Sequence, residues 1–120
     1  MGTRHHVLVV EDHADSAEVF ATFLRSLGHV VTIATDGASA LASVASVRPT
    51  IAIVDIGLGE MDGFTLATRL RAQLGPTLHI FALSAFSSAE HRRTARELGF
   101  AGYFVKPADL SSSEAALGAL

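Results

Sequence analysis

The chain has 120 residues, of which 49% are hydrophobic and 18% charged, and its formal net charge is −3. This length and composition predict one globular domain with a single core and exclude a disordered chain. The negative charge gives no support to a nucleic-acid or anionic-membrane surface, cysteine chemistry is excluded, and no apolar run approaches the roughly 20 residues of a membrane helix.

Short apolar, β-branched runs alternate along the chain with longer stretches of helical spacing. The predicted strands are His6–Val10, Val30–Ala34, Ile51–Val54, His79–Leu83 and Gly102–Val105. The predicted helices are Ala14–Leu27, Gly37–Val47, Gly63–Leu74, Ser87–Leu98 and Asp109–Leu120. This alternation predicts a parallel sheet with helices on both faces and right-handed connections.

Two of the helices carry clear apolar stripes. In the first helix the stripe has the i, i+3, i+4 spacing of an amphipathic helix and consists of Val19, Phe20, Phe23, Leu24 and Leu27. The last helix begins with Asp109 as a capping residue and turns Leu117 and Leu120 inward.

Charged and hydroxyl groups stand at the C-terminal ends of four predicted strands. Glu11 and Asp12 follow the first strand, Asp55 the third, Ser84 the fourth and Lys106 the fifth. Taken alone, an acidic pair usually belongs to a solvated loop, and a serine after a strand is usually a turn former. The charged and hydroxyl residues at these four strand ends together predict one site, because the C-terminal ends of parallel strands converge on one ligand-binding crevice.

Three carboxylates in one crevice would repel one another without a cation. Hard oxygen ligands of this kind fit Mg²⁺, or Mn²⁺ in its place. Zinc or copper would favour histidine or cysteine, and we expect the six scattered histidines on the surface or at strand edges instead of at these strand ends. Carboxylates, a divalent cation and a lysine together predict a site for a phosphoryl group.

The chain resembles the receiver domain of two-component response regulators over essentially its whole length. The matching segments have the order and spacing of that family and are Val9–Asp12, Val54–Gly63, Leu83–Ala85 and Tyr103–Pro107. The resemblance implies an α/β, flavodoxin-like (βα)5 fold with a doubly wound parallel five-stranded sheet of order 2-1-3-4-5. It also implies that residues 1–120 form one receiver (phosphoacceptor) domain.

The resemblance assigns a role to each acidic residue of the crevice. Asp55 is implied to be the nucleophile that becomes phosphorylated. Asp12 and Asp55 are implied to bind Mg²⁺ directly, together with the backbone carbonyl of Gly57, while Glu11 acts through bound water.

The remaining site residues are implied to bind and sense the phosphoryl group. Lys106 pairs with the phosphoryl oxygens, and the Ser84 hydroxyl and Ala85 amide bind the same group. Tyr103 is the switch ring that turns inward as Ser84 moves, remodelling the face of the last two helices and the last strand. The resemblance further predicts a cis bond between Lys106 and Pro107.

The implied function is a phosphorylation-dependent signalling switch, not an enzyme in the usual sense. Its phosphoryl donor would be a histidine kinase or a histidine phosphotransfer domain. An output domain or partner protein would bind its phosphorylated state. Direct nucleic-acid or membrane binding is not expected. The N-terminus lacks the apolar region of a signal peptide, which predicts a cytoplasmic location, either free or as the cytoplasmic module of a membrane-bound hybrid kinase.

Two other functions share parts of this pattern. A haloacid-dehalogenase-type phosphatase also uses an aspartate after a strand, but it needs an acid two residues later, where this chain has Gly57. A flavodoxin-type flavin carrier needs a phosphate-cradling first loop, and the acidic segment 11–15 would repel phosphate. The arginines Arg92, Arg93 and Arg96 are interpreted as a solvated helix face, not as a nucleic-acid surface.

Overall fold

The computed structural model describes residues 4–58, 61–85, 88–106 and 110–120. The strands are β1 (His6–Val10), β2 (Val30–Ala34), β3 (Ile51–Asp55), β4 (His79–Ser84) and β5 (Gly102–Val105). The helices are α1 (Ala14–Ser26), α2 (Gly37–Ser43), α3 (Gly63–Leu74), α4 (Ala89–Glu97) and α5 (Leu110–Gly118). The predicted cis bond at Pro107, the predicted cap Asp109 and the predicted helix start at Ser87 lie outside the described residues.

The five strands form one parallel sheet in the order β2-β1-β3-β4-β5, which confirms the predicted flavodoxin-like fold. The register places Val10 of β1 opposite Val54, while Asp55 at the end of β3 lies opposite Leu83. Ser84, the last residue of β4, lies opposite Val105. The carboxyl ends of the four neighbouring strands β1, β3, β4 and β5 therefore lie along one edge of the sheet.

Alternate strand residues pack into two apolar clusters, one on each face of the sheet, as the two-residue period of a strand requires. Leu8 and Ala52 join the cluster that α2 and α3 cover. Val7 and Ile53 join the cluster that α1 and α5 cover, which includes the buried Leu117. Burial on both faces explains why the strands are almost continuously apolar.

The apolar stripe predicted for α1 is wrong at Val19, whose side chain is 66% exposed. The buried residues of this helix follow the i, i+3, i+4, i+7 spacing and are Ala17, Phe20, Ala21 and Leu24. Val19 lies on the outer side of that stripe. The adjacent Phe20 packs its ring in the core, while Val19 remains exposed to solvent.

Several element ends differ from the predicted ones. Strands β3 and β4 continue one residue further than predicted, because Asp55 and Ser84 still pair with the neighbouring strand. Helix α2 ends at Ser43 and not at Val47; the backbone N–H of Val47 donates to the Ser43 carbonyl in the turn that follows. None of the helices in the part of the chain that the structure describes is long and apolar enough to cross a membrane.

Candidate functional site

Asp55 is a buried carboxylate at the end of a fully buried strand. Its Oδ1 accepts a hydrogen bond from the backbone N–H of Gly57 at 2.8 Å. Its Oδ2 lies 2.6 Å from the Nζ of Lys106. A buried carboxylate is stable only when such partners replace its lost hydration, so these contacts stabilise the Asp55 side chain at the edge of the sheet.

Lys106 connects the two most buried acids of the site. Its backbone N–H donates to the carbonyl of Ser84 at 2.6 Å, which anchors the residue beside β4. Its Nζ lies 2.6 Å from Asp55 Oδ2 and 2.7 Å from Glu11 Oε2. Burial lowers the pKa of Lys106, but its hydrogen bonds to Asp55 and Glu11 and their negative charges outweigh that effect, so the pKa is raised overall. The ammonium is therefore charged at neutral pH, and one positive charge faces two carboxylates.

Glu11, Asp12 and His13 form the other half of the site. The backbone N–H of Glu11 donates to the Ala34 carbonyl, so this residue prolongs the edge of β1, and its side chain is buried. The Nδ1 of His13 lies 3.1 Å from Glu11 Oε1 and 3.2 Å from Asp12 Oδ1. Within the described residues, these three side chains have ligand atoms that all lie within 4.8 Å of one another.

The donor set of this crevice fits a hard divalent cation. Glu11 and Asp55 lie on either side of Lys106, Asp12 follows Glu11, and carboxylate oxygens are the ligands that Mg²⁺ and Mn²⁺ prefer. Lys106 balances only one of the negative charges. Gly57 lies beside Asp55, and a Cβ at that position would meet Asp55 Oδ1 at 3.4 Å, an ordinary van der Waals contact.

The turn after Asp55 is held by the start of α3. Asp62 caps this helix, because its side chain accepts from the backbone N–H of Thr65 at 2.9 Å and from the Thr65 hydroxyl at 2.8 Å. These hydrogen bonds lower the pKa of Asp62. Gly63 then packs so closely that a Cβ there would lie 2.5 Å from Ile56 Cα and 2.6 Å from the Asp55 carbonyl oxygen. The helix start therefore fixes the backbone that carries Asp55.

The predicted phosphoryl-binding and switch residues lie along the next two strands. Ser84 is buried at the end of β4, and Ala85 after it is exposed. Tyr103 is half-buried in β5, opposite Ala82. The guanidinium carbon of Arg92 in α4 lies 4.6 Å from the centre of the Tyr103 ring, in the geometry of a cation–π contact.

The structure thus joins Glu11, Asp55 and Lys106 by direct contacts, while Asp12 meets Glu11 through His13. The histidines were expected on the surface or at strand edges, and the His13 side chain is 74% exposed, but its Nδ1 also contacts Glu11 and Asp12. His13 stands immediately after the acidic pair Glu11 and Asp12, and this adjacency is the signal in the sequence that could have pointed to the contact.

A doubly wound sheet of order 2-1-3-4-5 with an acidic crevice at its carboxyl edge defines a flavodoxin-like fold with a candidate site at the strand ends. The family model for the response regulator receiver domain matches residues 7–117. The chain belongs to this family, the phosphorylation-dependent switches of two-component signal transduction. This membership leaves the phosphatase and flavin-carrier alternatives without support.

Individual relatives agree with this assignment. The chain is 37% identical over 118 residues to the transcriptional regulatory protein PrrA of Mycobacterium tuberculosis, covering 98% of this chain and 50% of PrrA, so it spans about half the length of that relative. Its fold matches the chemotaxis protein CheY4 of Vibrio cholerae with a TM-score of 0.88 at 27% identity, covering 96% and 97% of the two chains. A response regulator from Burkholderia pseudomallei, solved with a phosphorylated aspartic acid and a calcium ion, matches with a TM-score of 0.84 at 29% identity, covering 93% and 65%.

Proposed function

We propose that Asp55 accepts a phosphoryl group from the phosphohistidine of a histidine kinase or a histidine phosphotransfer domain, and that residues 1–120 form one receiver domain. The observation that carries the proposal is the buried Asp55 carboxylate, held 2.6 Å from Lys106 at the edge of the sheet. The phosphorylated aspartic acid in the similar Burkholderia response regulator supports it.

The chemistry requires little more than position and charge. An Asp55 oxygen forms the new bond to phosphorus, the bond from phosphorus to the donor imidazole nitrogen breaks, and that nitrogen keeps the electron pair. A carboxylate is a weak nucleophile, so the site must orient it and balance the charge of the transferred oxygens. Gly57 orients one Asp55 oxygen, and the Lys106 ammonium supplies a positive charge beside the other.

Glu11, Asp12, Asp55 and the backbone of Gly57 are the residues that would hold Mg²⁺, or Mn²⁺ in its place. When bound, the cation adds positive charge beside the transferred phosphoryl oxygens. The fold brings the carboxylates to one edge of the sheet, and the Nζ of Lys106, 2.7 Å from Glu11 Oε2, holds the Glu11 side chain in place.

We further propose that Ser84 and Ala85 bind the transferred group and report its arrival. The Ser84 hydroxyl and the Ala85 amide would donate to phosphoryl oxygens. Because the Ser84 carbonyl accepts the backbone N–H of Lys106, a shift of either residue is passed to the other. Movement there would let Tyr103 turn inward and alter the surface formed by α4, β5 and α5. A phosphoryl group shifts this equilibrium only through its different contacts in the two states.

Asp55→Asn is expected to abolish phosphorylation. The substitution keeps the size of the side chain and an oxygen for the Gly57 N–H, but it removes the nucleophilic carboxylate. The protein is incubated with acetyl phosphate and Mg²⁺, and intact mass is followed with time. Asp36→Asn is the matched control, because Asp36 only caps α2 through Ser39 and asparagine caps equally well. Phosphorylation of the Asp55→Asn variant at the wild-type rate would refute the assignment.

Beryllofluoride with Mg²⁺, a stand-in for the phosphoryl group, is expected to change the fluorescence and acrylamide quenching of the tyrosine. The chain contains one tyrosine and no tryptophan, so the signal comes from Tyr103 alone. Arg92→Ala removes the cation over the ring and should move the ligand-free signal toward the bound value.

Two controls accompany this measurement. Arg93→Ala alters the neighbouring arginine, which faces Glu97 at 4.0 Å, and should behave as wild type. Asp55→Asn should give no response. If the wild-type tyrosine signal stays constant while beryllofluoride is bound, the domain passes the phosphoryl group on without acting as a conformational switch through Tyr103.

The proposed partners follow from the proposed reaction. A histidine kinase or phosphotransfer domain donates the group, and an output domain or partner protein contacts the remodelled surface. Phosphoryl transfer is promoted by the chain's own residues, and loss of the group is slow and self-catalysed at most. Partnership with a histidine kinase assigns the protein to the cytoplasm.

A further inference from the structure

Three residues that precede neighbouring strands form a row along the amino edge of the sheet, the edge opposite the acidic crevice. His29 precedes β2, His5 precedes β1 and Thr50 precedes β3. The backbone N–H of His5 donates to Nδ1 of His29 at 3.0 Å, and Nδ1 of His5 lies 3.0 Å from the Thr50 hydroxyl oxygen. The centres of the two imidazole rings are 5.8 Å apart. These contacts fasten the start of β1 to the segments on both of its sides.

The contact between His5 and His29 exists in only one protonation state of His29. A backbone N–H donates only to an unprotonated imidazole nitrogen, so Nδ1 of His29 carries no proton and the ring is neutral, with its hydrogen on Nε2. When Nδ1 gains a proton it becomes a donor that faces the donor N–H of His5, and the hydrogen bond is lost. The closed contact and a protonated His29 therefore exclude each other.

The surroundings of His29 oppose a positive charge on its ring. The side chain is buried, and this burial, followed by the charge of the neighbouring His5, lowers the pKa of His29. The ionisable side chains in the segments that border His29 are Arg4, His5 and His6 at the start of β1, Arg25 at the end of α1 with its partner Glu18, Arg48 before β3 and His79 in β4. Glu18 is the one acid in this set and lies 3.8 Å from Arg25. Within the described residues no carboxylate forms an ion pair with His29.

The attachments of His5 differ on its two sides. On the β3 side its ring is bound to Thr50, while its Nε2 is buried with no hydrogen-bond partner among the described residues. On the β2 side His5 donates its backbone N–H to His29, and its carbonyl accepts the backbone N–H of Val30 at 3.0 Å. Loss of the His29 acceptor therefore loosens His5 on the β2 side and weakens its contact with Val30.

We propose that His29 and His5 form an acid-sensitive latch, closed while His29 is neutral and opened by its protonation, which frees the amino ends of β1 and β2 while the carboxyl edge stays folded. Because the folded state disfavours the protonated ring, the stability that the latch contributes is fully present above the ordinary histidine pKa of about 6.5 and falls as the pH drops through it. Histidine is suited to this role because its charge changes near neutral pH. The latch does not depend on Asp55 and gives the domain a second input, protons, at the opposite edge of the sheet.

Amide hydrogen exchange of the 120-residue chain at pH 7.5 and pH 5, expressed as protection factors, tests the latch. The reporter is the N–H of Val30, which donates to the His5 carbonyl. The internal reference is the N–H of Glu11, which donates to the Ala34 carbonyl at the other end of β1. We expect the ratio of Val30 to Glu11 protection to fall about threefold or more at pH 5. Nitrogen spectra of the imidazoles should show that this fall follows protonation of His29.

Two substitutions at His29 separate the latch from a packing role. His29→Asn keeps a side-chain oxygen as acceptor for the His5 N–H and does not titrate, so Val30 should stay protected at both pH values. His29→Ala removes the acceptor and should leave Val30 poorly protected at both. The control is His79→Asn, which removes an exposed histidine of the same edge and should keep the wild-type pH dependence.

Three results would overturn the proposal. The first is a wild-type ratio that stays constant between the two pH values, and the second is a fall of the wild-type size in His29→Asn. The third is an equal loss of protection at Val30 and Glu11, which would show acid unfolding of the whole domain and not a local opening. None of these results bears on phosphorylation of Asp55, which the acetyl phosphate assay measures separately.

Discussion

Gly63→Ala is expected to lower the free energy of unfolding by at least about 2 kcal/mol and to slow phosphorylation of Asp55. The added Cβ would lie 2.5 Å from Ile56 Cα and 2.6 Å from the Asp55 carbonyl oxygen, distances that real Cβ atoms do not show. Both neighbours are backbone atoms, so no side chain can rotate away. The start of α3 or the turn after β3 must shift, and that turn carries the proposed acceptor.

Gly118→Ala is the matched control for this substitution. Gly118 closes α5, and a Cβ there would meet no atom within 4 Å. Alanine in a helix is favoured over glycine by roughly 0.5–1 kcal/mol, so this variant should be as stable as wild type or more so. Urea unfolding and the acetyl phosphate assay measure both effects. Equal stability of Gly63→Ala and wild type would show that α3 does not restrain the Asp55 turn.

The sheet and its edge were predictable because their signals are local. Each strand is a short apolar run, and the charged residues that follow these runs fall at one edge as soon as the strands are parallel. Asp55 and Lys106 are separated by 51 positions in sequence, yet both could be assigned to one crevice from their strand ends alone.

The remaining features depend on tertiary contacts or on side-chain direction. The close approach of Gly63 to Ile56 appears only when α3 is packed against the turn. The contact of His13 with Glu11 depends on how a short loop leaves β1 and enters α1. Val19 has the composition of a core residue, and only the rotation of α1 on the sheet decides that it faces solvent. Sequence periodicity does not determine any of these three properties.

Lys106→Met is expected to lower the free energy of unfolding at neutral pH by about 3 kcal/mol. Methionine preserves much of the apolar stem but removes the ammonium that contacts both Glu11 and Asp55. Two carboxylates with 1% and 5% exposed side chains then lose the ammonium that lies between them. Breaking a buried ion pair from one side costs several kcal/mol because the remaining charge stays buried.

The pH dependence of the variant separates this explanation from a loss of packing. In wild type the pKa of Lys106 is raised, so its contribution to stability is present at neutral pH and is lost only as the pH rises through that value in the alkaline range. Methionine has no group that loses a proton at this position, so Lys106→Met lacks this alkaline loss. The stability difference between wild type and Lys106→Met should therefore shrink as the pH rises through the alkaline range, which a packing defect would not produce.

A double-mutant cycle with Asp55→Asn completes the argument. Asp55→Asn alone leaves one ammonium facing one carboxylate, Glu11, at 2.7 Å, so it should cost little or even stabilise the fold. In the Asp55→Asn background, Lys106→Met leaves only the buried Glu11 carboxylate without its ammonium partner. The loss in free energy of unfolding caused by Lys106→Met should therefore be smaller by about 1 kcal/mol or more than in the wild-type background. Urea unfolding of all four proteins at pH 7 gives the coupling, and unfolding of wild type and Lys106→Met at rising alkaline pH gives the pH dependence. Additive effects at pH 7, or a stability difference between wild type and Lys106→Met that stays constant into the alkaline range, would contradict an electrostatic role for Lys106 between the two acids.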